Sequence, residues 1–138
     1  MIVLFLDIDG VVNCKTTIER VNGVVGIELS KMEIVKQIVA QTRCKVVLSS
    51  SWRLYKPDLE HVGRYLKLYD VTPDLHGKTD RGCEINAWLD KHPKVTNYAI
   101  LDDNSDFHKD QHLFKTSWET GITKEVADAV IKHLQKTT

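Results

Sequence analysis

Three short apolar runs, Met1–Leu6, Val46–Leu48 and Asn97–Leu101, alternate along the chain with stretches whose apolar residues recur at helical spacing. This alternation restricts the fold more than any other feature. The runs are too short for helices and carry Ile, Val and Leu without polar interruption, so each reads as a strand buried on both faces. Strands separated by helices form βαβ units, hence a mainly parallel sheet with helices on both sides. The first helix is expected over Leu29–Thr42, with Met32, Ile34, Val35, Ile38 and Val39 inward, Ser30 as N-cap and Glu33 completing a capping box. A second is expected over Pro57–Tyr69, with Pro57 in its first turn and Leu59, Val62, Leu66 and Leu68 toward the core. A third runs from Asp80 to Lys91 with Ile85, Trp88 and Leu89, and Pro93 bars its continuation. A fourth, Lys124–Gln135, is capped by Thr123. Thr17–Ile27 holds Asn22-Gly23 between two β-prone runs, the strongest short signal for a hairpin.

Chemistry collects where the strands end. The first run leads into Asp7-Ile8-Asp9-Gly10, and the third into Asp102-Asp103-Asn104-Ser105-Asp106. The second run ends in Ser49-Ser50-Ser51-Trp52-Arg53. Lys78-Thr79-Asp80-Arg81 adds cations at the start of the third helix. In open α/β sheets the ligand crevice lies at the carboxyl ends of the strands. Carboxylates gathered there repel one another unless a cation, a proton or a substrate group separates them.

Composition limits what such a site can serve. At 138 residues the chain fits one domain, 1–138, with an adequate core. Nineteen basic residues balance 19 acidic ones, so no global field draws it to a membrane surface or to nucleic acid. No apolar stretch approaches the roughly 20 residues of a membrane span, and the first run is too short for a signal peptide. Cys14, Cys44 and Cys83 lack the spacing of a disulfide or zinc framework, which fits a cytoplasmic setting. The six histidines show no ligand spacing, with His108 and His112 nearest the last acidic motif.

The four motifs, in this order, resemble those of the haloacid dehalogenase-like (HAD) phosphohydrolase superfamily. The helix carrying Arg81, Gly82, Glu84-Ile85 and Trp88-Leu89 looks like that of HAD domains in nucleic-acid end repair. The resemblance implies a three-layer α/β/α Rossmann-like core, a hairpin flap and a minimal cap. It implies Asp7 as nucleophile and Asp9 as general acid and base. Ser49 and main-chain N–H groups after Asp7, at Gly10, would meet the phosphoryl oxygens, joined by Arg81 or Lys78, with Arg81 preferred. Mg²⁺ would be held by Asp7, the Asp9 carbonyl and Asp102 or Asp103, with Asp106 as an outer carboxylate. Trp52 and Arg53 are placed at the rim, where an aromatic plane and a guanidinium serve bases and backbone phosphates. The expected activity is removal of a terminal (3′) phosphate from DNA or RNA ends. A mononucleotide or small-molecule phosphatase and a non-catalytic HAD-like binding domain are the alternatives.

Overall fold

The computed structural model describes residues 1–77 and 79–136. Chain order runs β1 (Ile2–Leu6), a hairpin of β2 (Arg20–Val21) and β3 (Val24–Val25), α1 (Leu29–Thr42), β4 (Lys45–Leu48), a 3-10 turn (Ser51–Leu54), and α2 (Lys56–Gly63). It continues through β5 (Asp70–Val71), α3 (Arg81–Asp90), β6 (Asn97–Asp102), β7 (Leu113–Lys115) and α4 (Lys124–Leu134). Five strands form one sheet in the order β5-β4-β1-β6-β7, every pair parallel. β1 lies at its centre, which is why Val3, Leu4, Phe5 and Leu6 are all fully buried.

Strand alternation splits the core in two. Leu4, Leu6, Val46, Leu48, Ala99 and Leu101 face Met32, Val35 and Ile38 of α1, Val62 of α2, and Ala127, Val130 and Leu134 of α4. Val3, Phe5, Val47 and Ile100 face Ile85 and Trp88 of α3. Phe5 and Trp88 meet edge to face at 5.4 Å. The result is the α/β/α Rossmann-like layering of a HAD fold. Among the described residues no helix is long and apolar enough to cross a membrane.

The hairpin forms as its Asn-Gly pair requires: Asn22 and Gly23 both take positive φ, 50° and 81°. Asn22 Nδ2 donates to Asp58 Oδ1 at 2.9 Å, tying the flap to α2. Three local expectations need correction. Glu28, not Ser30, holds the cap position of α1, and its side chain does not bond the helix amides. Its carboxylate instead accepts from Thr17 Oγ1, Ser30 Oγ and Lys31 Nζ, which fastens the flap to the helix. α2 stops at Gly63 rather than running to Tyr69. The Tyr69 amide donates to the Val46 carbonyl, so the chain must already be extended there to lead into β5. β7 was not anticipated; its three residues follow Gln111-His112 and show no strand period.

Candidate active site

Register builds the site. Leu6 is level with Leu48 on one side and Leu101 on the other. Asp7, Ser49 and Asp102 therefore stand abreast at the carboxyl edge, one residue beyond that rung. The Asp7 amide donates to the Leu101 carbonyl at 3.0 Å and the Ser49 amide to the Leu6 carbonyl at 2.9 Å, which fixes the row.

Asp103 joins from the next position. One carboxylate oxygen each of Asp7, Asp102 and Asp103 lies within 4.8 Å of the others. Gly10 makes room: with φ near 80°, it sits so close to Asp103 that a β-carbon there would collide with the carboxylate. Its amide donates to Asn13 Oδ1, and its carbonyl accepts from Thr116 Oγ1 at 2.6 Å.

Arg81, the first residue of α3, supplies the counter-charge. Its Nη1 lies 2.9 Å from Asp102 Oδ2 and 3.3 Å from Asp7 Oδ1. The start of α3 is held in turn by the β6–β7 loop. Asp106 Oδ2 accepts from the Arg81 amide, and the Asp106 carbonyl accepts from the Gly82 amide. Asp106 thus holds the first turn of α3 and is not in the Asp7–Asp102–Asp103 cluster, while its Oδ1 is buried without a partner among the described residues. Its backbone and one oxygen are committed to α3.

Burial sets the electrostatics. Asp7 is pushed up to about 7, first by desolvation and then by the charge of Asp102, against the opposing pull of Arg81. Asp103 is raised for the same first two reasons. Arg81 is held charged by Asp7 and Asp102 despite its own burial. The linkage sign follows. Between pH 4 and about 7 the folded, metal-free chain keeps a proton on Asp7 that the unfolded chain has released, so this group's contribution to stability falls as pH rises through that window. Asp7→Asn should therefore melt above the parent in chelator. The gap should widen from pH 4 to 7 toward an upper limit of roughly 4 kcal/mol, level off beyond, and shrink when divalent cation is added. A pH-independent difference in Tm would count against a buried, proton-binding Asp7.

Ser49 is the one hydroxyl of its triplet that is both buried and unpartnered among the described residues. Ser50 Oγ accepts from the Trp52 amide and Ser51 is exposed. Asp9 is exposed, with Oδ1 accepting from Asn13 Nδ2 at 2.9 Å and Oδ2 from Trp52 Nε1 at 3.2 Å. Lys78 lies outside the described residues.

Trp52 and Arg53 are not rim groups. The 3-10 turn folds them inward, leaving Trp52 only 5% exposed. Arg53 donates to the carbonyls of Ser49, Ser50, Thr72 and Pro73 and forms a buried ion pair with Glu84 at 3.1 Å. Every face of its guanidinium is engaged, so no phosphate contact is left to it. Trp118 is an exposed aromatic on the loop whose Thr116 bonds the Gly10 carbonyl and whose Trp118 carbonyl accepts from the Lys15 amide. Asn13 and Trp118 were not singled out by sequence. Asn13 follows Asp9 by four residues, and nothing in its local pattern signals the contact.

Two histidine clusters were also invisible in sequence. His108 Nε2 lies 3.2 Å from Asp80 Oδ1 and 3.7 Å from Cys83 Sγ. Gln111 accepts from the His108 amide and donates to the Gly82 carbonyl and Asn86 Oδ1. That leaves the Asn86 side-chain amide beside His108 Nδ1 at 3.2 Å, with Nε2 toward Asp80. Together these contacts brace the start of α3 against the β6–β7 loop. His112 and His133 converge on the Tyr98 carbonyl, at the opposite end of β6.

A cation suits the carboxylate cluster. Three oxygen donors converge, a glycine is required to admit one of them, and a guanidinium already lies between the other two. A parallel sheet with such a cluster at its carboxyl edge, an unpartnered buried hydroxyl alongside and a helix-borne cation opposite defines a HAD-type domain. The chain belongs to the family of HAD domains in Swiss Army Knife RNA repair proteins, whose family model matches residues 3–127. This is a family of phosphatase-type hydrolases. Comparison with curated proteins and with solved structures gave no match.

Proposed function

We propose that the chain is a Mg²⁺-dependent phosphomonoesterase that works through an aspartyl-phosphate and removes a terminal 3′-phosphate from a polynucleotide, RNA in the first instance. The observation that carries the chemistry is the row of Asp7, Ser49 and Asp102 at the carboxyl edge, with the buried Ser49 hydroxyl left without a partner among the described residues. The family, named for RNA repair, carries the choice of substrate.

Asp7 attacks phosphorus in line, and the bond to the ester oxygen breaks as the acyl-phosphate bond forms. Asp9 gives its proton to the departing oxygen. In the second half-reaction Asp9 takes a proton from water, whose oxygen attacks phosphorus and releases inorganic phosphate and free Asp7. Ser49 Oγ and main-chain amides between Asp7 and Gly10 donate to the phosphoryl oxygens, the Gly10 amide itself being taken by Asn13 Oδ1, and Arg81 supplies a charged donor. Asp7, the Asp9 carbonyl and Asp102 or Asp103 would hold Mg²⁺, which offsets the repulsion between carboxylate and phosphate.

Among the described residues only the small hairpin flap stands over the site and no cap domain is inserted, which suits a polymer end. With Trp52 and Arg53 inside the fold, Trp118 becomes the aromatic group offered to a neighbouring nucleotide. Stacking on an aromatic is worth about 1–3 kcal/mol per base. Trp118→Ala should lower kcat/KM on a 3′-phosphorylated oligonucleotide by roughly tenfold and leave an aryl phosphate unchanged. The balance of 19 basic and 19 acidic residues favours a second reading, a phosphatase of mononucleotides or other small esters. A panel of 3′- and 5′-phosphorylated oligonucleotides, mononucleotides and sugar phosphates with Mg²⁺ decides between them. Faster turnover of any small ester than of every oligonucleotide would overturn the polymer reading.

A further inference from the structure

Asp9 is exposed, yet neither of its oxygens is free. Asn13 Nδ2 donates to Oδ1 at 2.9 Å and the indole Nε1 of Trp52 donates to Oδ2 at 3.2 Å. Exposed aspartates ordinarily sample several rotamers. Here both donors are themselves immobilised. Asn13 is fully buried, accepts from the Gly10 amide and also donates to the Gly26 carbonyl. Trp52 is locked through its turn: Ser50 Oγ accepts its amide, and the Arg53 fork pins the carbonyls of Ser49 and Ser50 on either side of that cap.

We infer that Trp52 is the positioning residue for Asp9, holding the carboxyl group in one orientation for its two proton transfers. The inference rests on the reading of Asp9 as general acid and base. An indole N–H donates only and does not titrate. It therefore orients the carboxylate without competing for the proton that Asp9 must pass. Asn13 shares the task but also shapes the Gly10 turn and the flap, so its substitution disturbs more than Asp9. Trp52 offers the cleaner test, because its N–H can be removed while its ring is kept.

The test compares an alkyl phosphate ester, a 3′-phosphorylated oligonucleotide, with an aryl phosphate whose nitrophenolate departs without a proton. Asp9→Asn is measured first and should impair the alkyl ester far more than the aryl one. Trp52→Phe removes the donor. Replacement of Trp52 by benzothienylalanine removes it while retaining the bicyclic ring, which guards against misfolding. Both should lower kcat on the alkyl ester by about tenfold, the scale of a lost charge-assisted hydrogen bond, and change kcat on the aryl ester by less than about threefold. Combined with Asp9→Asn, Trp52→Phe should add almost nothing, since both act through one group. Equal losses on the two esters, no loss on either, or full additivity with Asp9→Asn would show that Trp52 only packs. If Asp9→Asn itself fails to separate the esters, the acid-base reading falls and this inference with it. If Asp9→Asn separates them and the Trp52 variants do not, the positioning role alone is overturned.

Discussion

Asp7→Asn should lower kcat on every phosphomonoester by roughly 10⁴-fold or more, the scale on which enzymes lose activity when a covalent nucleophile is removed. An amide oxygen cannot form the acyl-phosphate, so aryl and alkyl esters should fall alike. That distinguishes this variant from Asp9→Asn. The variant should still fold, because it exchanges a buried acid that is costly to ionise for a neutral isostere. Rapid quench of the parent with labelled substrate should trap one base-labile phosphoryl group per chain, and none in Asp7→Asn. Substantial turnover by the variant would exclude Asp7 as the nucleophile.

Removal of divalent cation should have an effect of similar size. Chelator should abolish turnover and Mg²⁺ should restore it. Ca²⁺ should inhibit, since its larger and more flexible shell admits both oxygens of a carboxylate and would tie up Asp7. Asp102→Ala deletes a fully buried carboxylate of the cluster and leaves Arg81 with Asp7 alone. It should raise the Mg²⁺ concentration for half-maximal activity by at least about tenfold, one lost charge-assisted ligand being worth about 1.5–3 kcal/mol. Titration of activity against Mg²⁺ reads this directly. Undiminished turnover in chelator would defeat the proposed chemistry as a whole.

The sheet was legible because its buried strands are uninterrupted apolar runs and its loops carry the polar groups. Asp7, Ser49, Asp102 and Asp103 could be placed from sequence for the same reason: each stands directly after such a run, and parallel pairing brings run-ends to one edge. Asn22-Gly23 announced its hairpin through backbone conformation alone. What failed was direction. Nothing in Ser49–Arg53 says that the chain turns inward after β4. That turn depends on carbonyls at Thr72 and Pro73 and on Glu84, 19 to 31 residues away from Arg53, which Arg53 gathers. Ser30 looked like a cap because local sequence cannot show Thr17 and Lys31 competing for Glu28. Spacing likewise could not show that the partner amides of Asp106 belong to α3, 24 and 25 residues earlier.

Arg81 gives the metal-free chain an internal counter-ion, with one guanidinium nitrogen shared between the carboxylates of Asp7 and Asp102. The same guanidinium cannot hold those two oxygens and grip a phosphate with full strength. On the proposed reading of the site, carboxylates that held a divalent ion would leave Arg81 free to turn to the phosphate, and an Arg81 drawn to the phosphate would leave the carboxylates open to the ion. The two ligands would then favour each other's binding, and by equal factors whichever arrives first.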